Sequence, residues 1–127
     1  MYDRELLLER LSSVLTALER IPRRFAPVEK PEQFFCDEDG EDRMDSICMT
    51  LIAVGEEIKK LDRLTEGKLF QLYPQVAWKG VMGLRDVLAH TYFDVDAEQL
   101  FSVCKERIPV LIEQIRKIIS DLENLRI

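Results

Sequence analysis

The chain has 127 residues, 46% of them apolar and 33% charged, with five Gly, five Pro and a net charge of −6. That size fits one domain, residues 1–127, with one substantial core, and the composition argues against disorder and for helices. No apolar run reaches the roughly 18 residues of a membrane span. The charged start Met1-Tyr2-Asp3-Arg4-Glu5 lacks a signal-peptide core, so a cytoplasmic protein without a membrane partner is expected.

Residues 3–21 are predicted as the first helix: Leu7, Leu11, Val14, Leu15 and Leu18 recur on one helical face. Pro22 cannot continue a helix interior, which predicts a stop near Arg20. Residues 22–42 then read as a connection, long for a helix–helix loop. Phe25, Phe34 and Phe35 suggest that it packs partly on the domain, and its length leaves room for a short extra turn. Within it, Asp37-Glu38-Asp39-Gly40-Glu41-Asp42 carries five acids in six positions. Such a run reads as a solvated loop, or else as a patch that meets a basic partner or repels the wrong nucleic acid.

Residues 43–63 are predicted as a second helix, with Ile47, Leu51, Val54, Ile58 and Leu61 on one face and Met44, Cys48 and Ile52 widening it. Gly55 weakens this helix by about 1 kcal/mol relative to Ala, and close approach of another helix is a physical reason to keep it. Thr65-Glu66-Gly67 and Pro74 mark turns. A third helix is predicted from about Gln75 to His90, with Trp78, Val81, Leu84 and Leu88 facing the core. Gly80 and Gly83 would leave a flat strip on it. Asp96 is a plausible N-cap for a fourth helix, Ala97 to about Arg107. A last helix from about Pro109 to Asn124 carries Leu111, Ile115, Ile118, Leu122 and Leu125. No strand alternation is visible, so the fold class is all-α, a bundle of four to five helices.

Three cysteines, Cys36, Cys48 and Cys104, show no metal-type spacing, and with a single His no metal site is expected. Cys48 and Cys104 fall in apolar helical patterns and read as small core residues. The negative charge disfavours a broad, non-specific grip on nucleic acid.

The informative segment is Arg85-Asp86-Val87-Leu88-Ala89-His90-Thr91-Tyr92. His90 is the only histidine, and imidazole titrates nearest neutrality, which suits a general acid or base. Arg85 offers a permanent cation whose fork matches phosphate. On a regular helix the two are separated by roughly 140° and about 7.5 Å of rise, so only long side chains at the helix end converge. Tyr92 would stand almost directly above Arg85, and Asp86 flanks it. Simpler roles exist for each: a His at a helix C-terminus favoured by the dipole, and a Tyr beside Phe93 packed with its hydroxyl bonded.

Arg85-xxxx-His90-x-Tyr92, with a polar residue directly after the Arg, resembles the signature of HEPN domains. Its trailing Tyr resembles the HepT-like subfamily, the toxin half of HEPN/MNT toxin–antitoxin pairs. Further anchors agree in order and spacing. Val54-Gly55-Glu56-Glu57 resembles the family's Ile-Gly-Glu-Ala segment, and Pro74 to Asp86 resembles Pro-x-x-x-Trp-x-x-Ile-x-Gly-x-Arg-Asn/Asp. His90-Thr91-Tyr92-Phe93-Asp94-Val95-Asp96 resembles His-x-Tyr-Phe-x-Val-Asp. The resemblance covers roughly residues 43–120; the connection from Pro22 to Asp42 is longer and more acidic than the family pattern.

The resemblance implies an up-and-down antiparallel HEPN-type bundle that forms a homodimer, its two motifs facing each other across a cleft. It implies a metal-independent endoribonuclease with no cofactor. His90 would be the general base or acid at the ribose 2′-hydroxyl, Arg85 would hold the scissile phosphate, and Asp86 would orient either one. The second subunit would supply another His90 and Arg85, with Lys79 adding positive charge nearby. Only RNA has the 2′-hydroxyl nucleophile. The partner would be an MNT-type nucleotidyltransferase antitoxin that transfers AMP to Tyr92 and so blocks the site. A different class of function also fits the helical pattern: a non-catalytic binding or regulatory partner of a nucleotidyltransferase. A purely structural bundle would leave the Arg–His–Tyr spacing without a reason.

Overall fold

The computed structural model describes residues 3–90 and 96–127, the side chains of Ala89 and His90 excepted. Among them the chain is all-α: α1 (Arg4–Phe25), α2 (Glu38–Leu64), α3 (Trp78–Met82), α4 (Leu84–His90), α5 (Ala97–Ser102) and α6 (Ile108–Glu123). Helix α1 packs on α2 and α6, and α2 packs on α3 and α4. The core between them holds Leu11, Leu18, Ile21, Phe34, Ile47, Ile58, Leu61, Ile115 and Ile118, none of them exposed to solvent. No described helix is long and apolar enough to cross a membrane.

Helix α1 does not stop at Arg20. It runs through Pro22 to Phe25. A proline in the last turn forfeits one intrahelical donor, and several contacts hold that turn regardless. Ile21 is fully buried. Phe25 stacks on Phe34 at 6.4 Å and meets Phe101 edge-on at 5.1 Å. Arg24 donates to the Thr50 hydroxyl at 3.0 Å.

The acidic run is likewise a helix start rather than a loop. Asp37, in extended conformation, caps α2 by accepting from the Gly40 N–H at 2.7 Å. Glu38, Asp39 and Glu41 fill its first turn, where carboxylates meet the positive end of the helix dipole. The long connection therefore shrinks to residues 26–37 and contains a 3-10 turn, Pro31–Phe34, that buries Phe34 and leaves Phe35 49% exposed. Gly40 fits against that turn: a Cβ there would lie 2.0 Å from the Gln33 carbonyl oxygen.

The fourth and last helices form one continuous helical run. Asp96 caps α5 by accepting from the Gln99 N–H at 3.1 Å, as its position predicted. After Ser102 the chain widens into one π turn, Val103–Arg107, and continues as α6. The wider turn lets the Ile108 N–H reach the Val103 carbonyl just before Pro109, which has no N–H to donate. Leu111, Ile115, Ile118 and Leu122 are buried as their spacing predicted, but Leu125 lies past the helix end and is 71% exposed.

Candidate active site

The predicted third helix starts later and is broken. Ala77 is not helical (φ −80, ψ 80), so α3 begins at Trp78, and Gly83 (φ −90, ψ 2) separates it from α4. Its start is anchored twice. The Trp78 indole N–H donates to the Tyr73 carbonyl at 2.8 Å, and its ring lies 4.4 Å from that of Phe70. Tyr73 in turn donates its hydroxyl to Asp121 on α6 at 2.6 Å. Burial first, then that hydrogen bond and the Asp121 charge, push the Tyr73 pKa well above its ordinary value.

Gly55 sets the spacing between α2 and the broken helix. A Cβ at Gly55 would lie 2.5 Å from the Val81 carbonyl oxygen and 3.4 Å from the Leu84 Cβ. The close approach that could justify this glycine is therefore present, at the level where α3 gives way to α4. Gly80, by contrast, has open space beside it, so among the described residues nothing covers the predicted glycine strip there.

Helix α4 places the candidate residues. Leu84 and Leu88 pack partly buried against the core, while Arg85, Asp86 and Val87 are exposed. Among the described residues, neither Arg85 nor Asp86 joins an ion pair. The exposed Arg85 guanidinium thus has no counter-ion among the described residues, and a cation so placed can take an anionic ligand. His90 is the last residue of α4. The helix carries Arg85 and His90 at the predicted offset of about 140° and about 7.5 Å, and puts Asp86 one turn before His90, on neighbouring positions of one face. Tyr92 lies outside the described residues.

Other sites for chemistry are few. Cys48 and Cys104 are buried, and burial pushes their thiols up to about 11 and about 12, which keeps both protonated and unreactive at neutral pH. Cys36 is exposed. Among the described residues no three His, Cys, Asp or Glu side chains cluster as a metal site. An open groove between α1 and α2 is lined by Leu6, Arg10, Ser13, Ala17, Ala53 and Glu57, none of which the sequence singled out as catalytic. The Tyr73–Asp121 link was invisible in sequence, because its partners are 48 residues apart and neither belongs to a motif.

Comparison with known proteins bears on this helix. The family model described as "Ribonuclease HepT-like" matches residues 14–118. "Putative RNase MJ0127" of Methanocaldococcus jannaschii is 35% identical over 79 residues, 62% of this chain and 62% of that protein. "Putative RNase MJ0125" of the same organism is also 35% identical over 79 residues, 62% of this chain and 65% of its own length. "Probable ribonuclease HepT" of Thermococcus cleftensis is 32% identical over 89 residues, 68% of this chain and 74% of that protein. The match thus spans a little under two thirds of the length of the Methanocaldococcus relatives. No solved structure matches the chain significantly. A family match that runs from within α1 almost to the end of α6, enclosing α4 and its Arg85–His90 pair, places this chain in the Ribonuclease HepT-like family.

Proposed function

We propose that this chain is the toxin of a HEPN/MNT toxin–antitoxin pair, a metal-independent endoribonuclease that works as a homodimer. The observation that carries the reading is the exposed Arg85, without an ion pair among the described residues, on a short helix that ends at His90, in a chain of the HepT-like ribonuclease family. Arg85 binds a non-bridging oxygen of the scissile phosphate and offsets the charge that grows there in the transition state. His90 takes the proton of the 2′-hydroxyl as that oxygen attacks phosphorus. The 5′-oxygen leaves with a proton supplied by an acid, for which the partner subunit's own motif is the source. The products are a 2′,3′-cyclic phosphate end and a 5′-hydroxyl end. Asp86, one turn before His90, is the positioning residue. Tyr92 is the acceptor for AMP from a nucleotidyltransferase antitoxin, and the added charge and bulk close the site.

The test is cleavage of total cellular RNA by purified protein in EDTA, wild type beside His90→Ala. Cleavage by the wild type alone supports the reading. Equal cleavage by both proteins, or none by a wild type whose intact mass shows Tyr92 unmodified, overturns it. The second outcome leaves a binding partner of a nucleotidyltransferase as the better account.

A further inference from the structure

We infer that the outward stripe of α2 is the contact surface for a second copy of this chain, packed antiparallel about a two-fold axis between Ile52 and Ala53. The inference rests on the dimeric reading above and supplies its axis. At about 100° per residue, Asp42, Asp45, Met49, Ala53, Lys60 and Arg63 all fall within about 40° of one line along α2. The stripe faces away from the core side of the helix, which carries Met44, Leu51 and Ile58. All six residues are exposed, Met49 at 74%. Met49 and Ala53 give the stripe an uncharged centre between its charged ends.

The order of charge selects the occupant. Along the stripe come two acids, then Met49 and Ala53, then the half-buried Glu56, which an antiparallel copy sets opposite Met49 of the partner subunit, and then two bases. Asp42 and Arg63 lie equally far from the Ile52–Ala53 midpoint on its two sides, and so do Asp45 and Lys60. An antiparallel copy therefore sets Asp42 opposite Arg63 of the partner subunit, Asp45 opposite Lys60 of the partner subunit, and the reverse pairs at the other end. A parallel copy would set acid on acid and base on base. This is the self-complementarity that an isologous two-fold contact requires. Among the described residues Asp42, Lys60 and Arg63 make no ion pair within the chain. Ala53 at the centre allows close approach, with Met49 as the apolar flank.

The axis also accounts for the site. Helix α2 ends at Leu64, the chain turns, and α3 and α4 return along α2 from Gly55, which meets Val81 and Leu84. Arg85 then stands within about one turn of the Ile52–Ala53 level. Gly55 lies about 120° around α2 from the stripe, so a two-fold perpendicular to the α2 pair carries both α4 helices to the same side. The two Arg85 residues flank one groove floored by the paired α2 helices.

Sedimentation of the full chain tests this with Asp42→Arg, Arg63→Asp and the double variant. Each single variant sets like charges against each other at both ends and raises the dimer Kd about tenfold or more. The double variant, and an equimolar mixture of the two singles, restore the opposite pairs and recover the dimer. Misfolding cannot mimic that recovery, because the double variant carries both helix-end substitutions. A monomeric wild type, single variants that dimerise normally, or a double variant no better than the singles would each overturn the inference. RNA cleavage is read on the same samples. Cleavage by a protein whose dimer ignores the charge pattern refutes this interface and leaves the ribonuclease reading intact. A dimer that obeys the pattern without cleaving RNA does the opposite.

Discussion

Replacing Gly55 with Ala separates two opposing effects by sign. In a helix open to solvent the change would stabilise by about 1 kcal/mol, because Ala is the better helix former. Here the new Cβ would sit 2.5 Å from the Val81 carbonyl oxygen, where real Cβ atoms essentially never come within 3.0 Å. The neighbour is backbone, so no side-chain rotation relieves the clash. The end of α3 must move off α2 by about half an ångström or more, and Leu84, already at 3.4 Å, must move with it. Overpacking of this kind costs about 1–3 kcal/mol. Against the propensity gain, the net expectation is a loss of about 1 kcal/mol, and α4 is displaced together with Arg85. Urea denaturation measures the first effect. RNA cleavage measures the second, since displacements near 1 Å can cost about a hundredfold in rate. A Gly55→Ala protein more stable than wild type, cleaving at the wild-type rate, would refute the claim that this glycine sets the position of α4.

Tyr73→Phe removes the hydroxyl that donates to Asp121 and should cost about 1 kcal/mol. It should also change the pH dependence. The folded Tyr73 pKa is raised above its ordinary 10.0, so its share of stability is complete below pH 10.0 and is lost as the pH rises above it. Urea midpoints should therefore fall less steeply above that pH in the Phe variant; parallel alkaline limbs would count against the link. Of the three thiols, an Ellman titration near neutrality should find Cys36 alone fast, with Cys48 and Cys104 reacting only in denaturant. Two or three fast thiols in the native protein would contradict their burial. Asp37→Ala should destabilise by about 1 kcal/mol through loss of the α2 cap, with Asp37→Asn close to wild type. Equal losses in the two variants would point to charge, not capping.

The local signals in the sequence were strong where a residue acts on its own helix. The apolar stripes of α1, α2 and α6 became the core, and Asp96 capped the helix it was expected to cap. Gly55 announced a close approach because a mid-helix glycine has a cost that something must offset. The signals failed where distant packing overrode local preference. Pro22 reads as a stop, yet the Phe25 contacts with Phe34 and Phe101 carry α1 one turn further. The acidic run reads as solvated loop, yet the same carboxylates favour a helix N-terminus, and only the Asp37–Gly40 bond decides between them. The break at Gly83 and the π turn before Pro109 depend on backbone geometry that periodicity does not encode. At the site, sequence identified Arg85, Asp86 and His90 as helical neighbours. It did not reveal that Arg85 is left without a counter-ion among the described residues, which depends on what the fold places nearby.

The most direct test of the ribonuclease account compares one oligonucleotide in two forms, ribose and 2′-deoxyribose, with wild type and Arg85→Ala in EDTA. The account predicts that wild type cuts only the ribose form and leaves 2′,3′-cyclic phosphate ends. Arg85→Ala should lose cleavage while melting like the wild type, since Arg85 is exposed and holds no ion pair among the described residues. Cutting of the deoxyribose form, or wild-type cleavage by Arg85→Ala, would contradict it.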